Sequence, residues 1–216
     1  MSDGDWNAWH EYYADPDSTL ARRLVVVQQR IREFLDEAPP GPLRVVSICA
    51  GQGRDLLGVL VDHPRRGDVT ARLVELDERN AEEAATTART AGLDNVEVVT
   101  GDAALPEQYA GLVPADLVLA CGIYGNISDA DIRRTVAGCA QLCATGGTVI
   151  WTRHRRISPV DMVPQICDWY AEEGFELRWL SDPAERFGVG VHRFTGTPRP
   201  LARGVRLFTF NQPPAG

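Results

Sequence analysis

The chain has 216 residues, 44% of them apolar and 24% charged, which is typical of an ordinary globular protein with one sizeable core. Its formal net charge of −8 disfavours long nucleic acids and anionic membranes, because an acidic surface repels phosphates. No apolar run approaches the roughly 18 residues of a membrane span, the polar start Met1–Asp5 is unlike a signal peptide, and the five cysteines form no CxxC pair. We therefore expect a cytoplasmic protein without a membrane segment, a disulfide or a metal site.

The N-terminal segment is rich in aromatic residues with polar tips, namely Trp6, Trp9, His10, Tyr12 and Tyr13. Such a segment either closes over a ligand pocket or simply pins itself to the domain. Ser18 then begins a helical pattern, with apolar residues at three- and four-residue spacings up to Leu35, and Pro39–Pro42 ends it. We expect residues 1–42 to form a cap or lid on a domain of residues 43–216.

The remainder of the chain alternates strand and helix patterns five times and then changes character. A further helix is predicted to open at Ser158–Pro159, and three strand-like runs follow it. No helix pattern lies between the last two of these runs. This order predicts an α/β fold with a single Rossmann-like, seven-stranded, mostly parallel sheet, an antiparallel edge strand and helices on both faces. Eight runs have a strand pattern, one more than the seven strands of the predicted sheet: Val45–Ile48, Val69–Leu76, Val96–Val99, Asp116–Cys121, Thr148–Thr152, Phe175–Leu180, Phe187–Thr195 and Val205–Phe210.

The residues that follow the strands carry the functional signal, because open α/β sheets bind ligands beyond the carboxyl ends of their strands. Gly51 and Gly53 predict a tight turn whose backbone a ligand can approach. Glu75, 22 residues after Gly53, is placed to accept hydrogen bonds from ribose hydroxyls, and Asp102 is placed to accept one from an amino group such as that of adenine. Together they predict an adenosine site, and the missing third glycine disfavours a pyrophosphate.

With these motifs the chain resembles the class I S-adenosylmethionine-dependent methyltransferases over roughly residues 43–195. The resemblance rests on Val45–Gly53, Val74–Asp77, Gly101–Ala103 and Asp116–Cys121, in the family's order and spacing. It implies S-adenosyl-L-methionine as cofactor and S-adenosyl-L-homocysteine as product. The implied cofactor-binding residues are Cys49, Ala50, Gly51, Gly53, Glu75, Leu76, Asp102, Ala103, Cys121 and Gly122.

Two positions depart from the pattern of that family, which usually has an acid where Ser47 stands and a glycine where Cys49 stands. Serine brings no charge, so the amino group of the cofactor must be bound by other groups. Carbonyls near Ala50 and Cys121 are the candidates that the sequence offers.

The candidate catalytic residues follow from what methyl transfer requires. A sulfonium needs an aligned nucleophile and the exclusion of water, and an oxygen nucleophile also needs a base. His154, just past the fifth strand, is the predicted base, because its neighbouring arginines favour a neutral imidazole, although the same residues also fit a solvated basic loop. His192 is interpreted as a structural histidine. The predicted positioning residues are Asn126, Tyr124, Tyr12 and Tyr13.

The predicted function is methyl transfer from S-adenosylmethionine to a small molecule. Arginines between Arg153 and Arg156 are placed to hold a substrate carboxylate or to balance the acidic surface, and they keep an RNA acceptor open. The same motifs also allow an NAD-dependent oxidoreductase or a non-catalytic protein that binds S-adenosylmethionine.

Overall fold

A computed structural model of the chain describes Asp15, residues 17–155 and residues 160–211. Within these residues no helix has both the length and the apolar character needed to cross a bilayer. The elements, in chain order, are α1 (Thr19–Glu37), β1 (Leu43–Ile48), α2 (Leu57–Leu60), β2 (Val69–Glu75), α3 (Glu78–Thr90), β3 (Val96–Thr100), β4 (Ala115–Ala120), α4 (Asp129–Leu142), β5 (Cys143–His154), α5 (Val163–Glu172), β6 (Phe175–Leu180) and β7 (Phe187–Phe194).

The seven strands form one sheet in the order β3-β2-β1-β4-β5-β7-β6. The first five strands pair in parallel, and β7 pairs antiparallel with both β5 and β6. The predicted Rossmann-like, mostly parallel sheet with an antiparallel edge is therefore confirmed, and the reversed strand lies one place inside that edge. A buried core covers each face, one formed with α4 and α5 and the other with α1, α2 and α3.

Helix α1 runs antiparallel to the central strands and packs an apolar stripe against the sheet. Ser18 is its N-cap, as predicted, because the Ser18 side chain accepts a hydrogen bond of 3.0 Å from the amide of Ala21. The C-terminal half of the helix lies at the start of the strands, where Phe34 lines a cavity together with Leu43 and Asp116. Its N-terminal half therefore points toward the carboxyl ends of the strands.

The predicted strand Val205–Phe210 is wrong. The segment forms only an isolated bridge between Phe210 and Ile127, and the amide of Leu207 donates to the carbonyl of Ala104 at 2.8 Å. Its side chains at Leu207 and Phe208 are buried in the core around α4, so its apolar pattern comes from packing on loops and a helix. The edge of the sheet is already occupied by β6.

The helix predicted to open at Ser158–Pro159 begins later, at Val163. The carboxylate of Asp161 accepts a hydrogen bond of 3.0 Å from the amide of Val163 and so holds the first turn. Ser158 and Pro159 themselves lie outside the described residues.

Candidate cofactor and substrate site

Alternate residues of the turn after β1 adopt left-handed backbone conformations. Cys49, Gly51 and Gly53 have φ values of 52°, 55° and 69°, and the amide of Gly53 donates to the carbonyl of Ala50 at 2.8 Å. A Cβ atom at Gly53 would lie 2.7 Å and 2.8 Å from the side chains of Leu57 and Leu73. The second glycine is thus required by both conformation and close packing.

Glu75 lies at the end of β2, and its carboxylate is fixed against the glycine turn. The amide of Gly51 donates to Oε2 at 2.7 Å, and the amide of Asp77 donates to Oε1 at 2.9 Å. Each carboxylate oxygen keeps a further lone pair, which is the arrangement needed to accept two vicinal hydroxyls. The side chain of Leu76, beside it, is 65% exposed and offers an apolar surface at the same edge.

The thiol of Cys49 shows that the ends of the first three strands converge. Burial raises its pKa, and the carboxylates of Glu75 and Asp102 raise that pKa further. Both carboxylates therefore act on one partly buried thiol at the end of β1. The amide of Gly101 also donates to the carbonyl of Glu75 at 2.8 Å, which holds the segment of Asp102 beside Glu75. The structure brings the glycine turn, the predicted ribose acid and the predicted adenine acid together in this way.

The C-terminal segment covers the Asp102 side of this cluster, which sequence reasoning did not predict. Arg206 forms an ion pair with the carboxylate of Asp102, and the backbone of Leu207 bonds to that of Ala104. Ala103, between these acceptors, is buried. No local signal identifies the contact, because Asp102 and Arg206 are 104 residues apart in the sequence.

The loop after β4 lies on the other side of the glycine turn, because β4 is the neighbour of β1 opposite β2. We call the space over these strand ends the cleft. The amide of Gly122 donates to Oγ1 of Thr152 at 2.9 Å, and Nδ2 of Asn126 donates to the carbonyl of Gly122 at 2.8 Å. Gly122 has a φ of 83°, and no described atom lies within 4 Å of the position its Cβ would take. Cys121, just before it, is partly buried, with Sγ 3.9 Å from the carbonyl oxygen of Ile150.

Tyr124, a predicted positioning residue, lies in the core. Its side chain is fully buried, its hydroxyl lies 2.7 Å from the hydroxyl of Tyr170, and burial raises its pKa. A hydroxyl that is bonded inside the core is not presented to an acceptor in the cleft. This placement argues against a role for Tyr124 in contacting the substrate, in contrast to Asn126, which lies in the loop itself.

His154 is half-buried at the end of β5, in register with Phe187. Successive side chains of a strand point to opposite faces, so Arg153 and Arg155 face away from it. Arg153 donates to the carbonyl of Tyr124, and Arg155 pairs with Asp161, and both arginines are buried. The expectation that these two arginines form an exposed basic patch is therefore corrected.

His192, the other histidine considered from the sequence, lies in the core. His192 is 1% exposed, and its Nδ1 accepts a hydrogen bond of 3.0 Å from Nε1 of Trp151. Burial lowers its pKa to about 4, so it is a neutral histidine of the core, as interpreted from the sequence. Tyr12 and Tyr13 lie outside the described residues.

The sheet with one reversed strand, the glycine turn and the acids that follow β2 and β3 define a class I S-adenosylmethionine-dependent methyltransferase. The sequence motifs predicted this class, and a family comparison agrees. The model of a family described as "Putative methyltransferase" matches residues 21–167, and the chain belongs to that family. The description of the family names a methyltransferase, and S-adenosyl-L-methionine is the cofactor that the sequence motifs of this chain imply.

Individual relatives are distant. The chain is 30% identical over 113 residues to the uncharacterized protein YnbC of Escherichia coli K12, covering 51% of this chain but only 19% of that protein. The structure is similar to magnesium protoporphyrin IX methyltransferase of Synechocystis PCC 6803, with a TM-score of 0.67, 12% identity and coverage of 88% and 91% of the two chains. It is also similar to the CurJ carbon methyltransferase, with a TM-score of 0.69, 16% identity and coverage of 89% and 59%. At these identities the structural similarity concerns the fold.

Proposed function

We propose that this protein transfers the methyl group of S-adenosylmethionine to a small molecule bound over the ends of β4 and β5. The observation that carries this proposal is the convergence of the glycine turn, Glu75 and Asp102 on one edge of the sheet. The bound cofactor supplies a methyl carbon on a sulfonium; the acceptor atom bonds to that carbon as the C–S bond breaks, and the electron pair stays on sulfur.

The nucleoside part of the cofactor is assigned to the first three strands. Glu75 accepts the ribose hydroxyls, because two backbone amides already fix its carboxylate. The exposed side chain of Leu76 packs against the adenine ring, and Asp102 with Ala103 receives the amino group of the base. Since Arg206 pairs with Asp102, the adenine shares this acid with the C-terminal segment.

The acceptor is assigned to the loop after β4 and the end of β5. Cys121 and Gly122 border the reacting end of the cofactor, Asn126 positions the acceptor, and His154 removes its proton when the nucleophile is a hydroxyl. Tyr12 and Tyr13 remain predicted walls of this pocket. A cytoplasmic location is part of the same proposal.

A small acceptor is favoured over RNA by the charges at this edge. The protein carries a net charge of −8, and the sequence feature that kept RNA open was the group of arginines around His154. Arg153 and Arg155 are buried in internal contacts, so neither can neutralise a phosphate backbone.

The acceptor class is tested by incubating the protein with S-adenosylmethionine labelled in the methyl group and a cell extract. We expect the label to enter the low-molecular-weight fraction, whereas label in the RNA fraction would overturn the small-molecule assignment. His154→Ala should reduce the incorporated label at least tenfold while the dissociation constant of S-adenosylhomocysteine stays within twofold. Unchanged incorporation would remove the base role from His154.

The cofactor site is tested by calorimetry with S-adenosylhomocysteine and NAD. Loss of the ribose hydrogen bonds in Glu75→Ala should weaken S-adenosylhomocysteine binding by about 1–2 kcal/mol. The matched control is Glu82→Ala, since Glu82 is an exposed acid on α3. Equal affinities of wild type and Glu75→Ala, or preference for NAD, would contradict the proposed site.

A further inference from the structure

Ser47 leaves the amino-acid end of the cofactor without the acid that the methyltransferase motif usually provides. Its side chain is 1% exposed and lies within β1, paired in register with Leu73 on one side and Leu119 on the other. A buried neutral hydroxyl cannot neutralise an ammonium group. The charges for this end must therefore come from other elements.

Helix α1 brings one charge to the carboxyl edge of the sheet. Arg23 continues the buried stripe of Val27, Ile31 and Leu35 at four-residue spacing, and it is 9% exposed. Midway along the helix, Nε2 of Gln28 donates to the carbonyl of Arg54 at 2.8 Å, which fixes α1 against the chain just after the glycine turn. Since α1 runs antiparallel to β1, Arg23 lies farther toward the ligand edge than this contact.

Asp55 brings the opposite charge to the same place. It follows the glycine turn by two residues, and its Oδ1 accepts a hydrogen bond of 2.8 Å from the amide of Leu56. Burial raises the pKa of its carboxyl group, while that hydrogen bond and the Arg23 guanidinium lower it. The two opposite charges are thus close enough to act on each other.

Cys121 connects this charge pair to the reacting end of the cleft. Burial raises the pKa of the Cys121 thiol, the Asp55 carboxylate raises it further, and the Arg23 guanidinium lowers it. Cys121 follows β4 and precedes the loop of Gly122 and Asn126. Arg23 and Asp55 therefore both lie within electrostatic range of the end of β4. This strand flanks β1 on the side opposite β2, which carries Glu75.

We propose that Arg23 and Asp55 clamp the amino-acid end of S-adenosylmethionine, with Arg23 binding its carboxylate and Asp55 its ammonium group. The clamp replaces the acid that is absent at Ser47, and it rests on the proposed function of the same cleft. A guanidinium matches a carboxylate in a fork of two hydrogen bonds, and a charged acceptor near an ammonium group forms a strong charge-assisted bond. Both charges remain compensated in the complex, as burial requires.

The experiment compares two ligands that differ only at this end. S-adenosylhomocysteine carries the amino-acid group, and 5′-methylthioadenosine has the same nucleoside and thioether without it. Calorimetry of Arg23→Gln and Asp55→Asn should show at least tenfold weaker binding of S-adenosylhomocysteine and a change within twofold for 5′-methylthioadenosine. Glu75→Ala should weaken both ligands.

Matched controls are available on the same elements. Arg22→Gln removes an exposed charge from the neighbouring position of α1, and Asp62→Asn removes an exposed carboxylate after α2. Both control variants should bind the two ligands as the wild type does. Arg23→Lys, which keeps the charge and loses the fork, should lie between the wild type and Arg23→Gln.

The outcomes separate the clamp from the proposed function. Equal weakening of both ligands in Arg23→Gln and Asp55→Asn, or no weakening of either, overturns the clamp while leaving the nucleoside site intact. Failure of both ligands to bind the wild type overturns the proposed function and the clamp with it. Should both variants fail to fold, a wild-type preference for S-adenosylhomocysteine that is constant from pH 7 down to pH 4 overturns the role of Asp55.

Discussion

The two ends of the proposed cofactor site hold their carboxylates in opposite ways. At the nucleoside end, Glu75 accepts hydrogen bonds from the amides of Gly51 and Asp77 and is fixed before any ligand arrives. At the amino-acid end, Asp55 accepts a hydrogen bond from the amide of Leu56, and burial raises its pKa. The nucleoside end is therefore preorganised, whereas the amino-acid end holds a charge that a bound ammonium group would stabilise.

The difference follows from where each end gets its residues. The nucleoside end consists of the segments that directly follow β1, β2 and β3, and the parallel register of the strands aligns them. The amino-acid end adds a side chain from α1, and its geometry depends on how that helix packs across the sheet. We therefore expect the nucleoside end to be the more rigid of the two. The geometry of the amino-acid end should change with the packing of α1.

The largest change in stability is expected for a substitution in the glycine turn of the nucleoside end. Gly53→Ala combines left-handed backbone strain with a Cβ placed 2.7 Å from Leu57, and we expect it to lower the free energy of unfolding by about 2–4 kcal/mol. Gly122→Ala is the matched control, because its φ is also positive but its Cβ meets no described atom within 4 Å.

Urea unfolding of the two variants separates strain from packing. Gly122→Ala should lower the free energy of unfolding by about 1–2 kcal/mol, the strain contribution alone. Equal losses in the two variants would show that close packing does not hold the glycine turn in place and would remove the difference in rigidity between the two ends.

The predictability of the site from sequence follows the same division. Gly51, Gly53, Glu75 and Asp102 could be predicted to lie at one edge of the sheet because each lies at or shortly after the end of a strand, and strand order alone places them together. The pairing of Asp102 with Arg206 could not, because 104 residues separate them and the segment around Arg206 has a strand-like pattern. Its apolar side chains are explained by burial against α4, which no periodicity reveals.

Side-chain direction after a strand was the second source of error. Tyr124 and Arg153 occur at the predicted positions along the chain, yet both side chains turn into the core on the α4 and α5 face. Their direction depends on the phase of β5 and the conformation of a loop. By contrast, the inward direction of the Arg23 side chain can be read from the sequence, because Arg23 lies in helical phase with Val27 and Ile31 on the inward face of a predicted helix.

A smaller change in stability is expected for substitutions of Cys49. These substitutions test whether the backbone of the glycine turn is strained. Cys49 is the one described residue other than glycine with a positive φ, at 52°, and the family usually has glycine there. Cys49→Gly should be more stable than Cys49→Ala by about 1 kcal/mol, because only glycine adopts this conformation without a Cβ clash. For a chain of this size, this corresponds to a difference in Tm of about 2–4 °C by calorimetry. An alanine variant at least as stable as the glycine variant would show that the turn carries no strain.

The smallest change in Tm is expected for a substitution of Asp55 in the protein without ligand. Whether Tm rises or falls distinguishes the two ends most directly. Because the folded protein raises the pKa of this carboxyl group, the ionised form is disfavoured on folding, and the protein loses stability as pH rises through that pKa. Asp55→Asn should therefore raise Tm slightly at pH 7 without ligand, although it weakens S-adenosylhomocysteine binding. The gain should shrink as pH falls toward the ordinary pKa of aspartate, about 3.9, where the wild type is also neutral. Glu75→Gln should show no such gain, since a neutral amide cannot replace both acceptor oxygens that Gly51 and Asp77 require. A lower Tm for Asp55→Asn at pH 7 would mean that Asp55, like Glu75, is a structural carboxylate, and the contrast between the two ends would disappear.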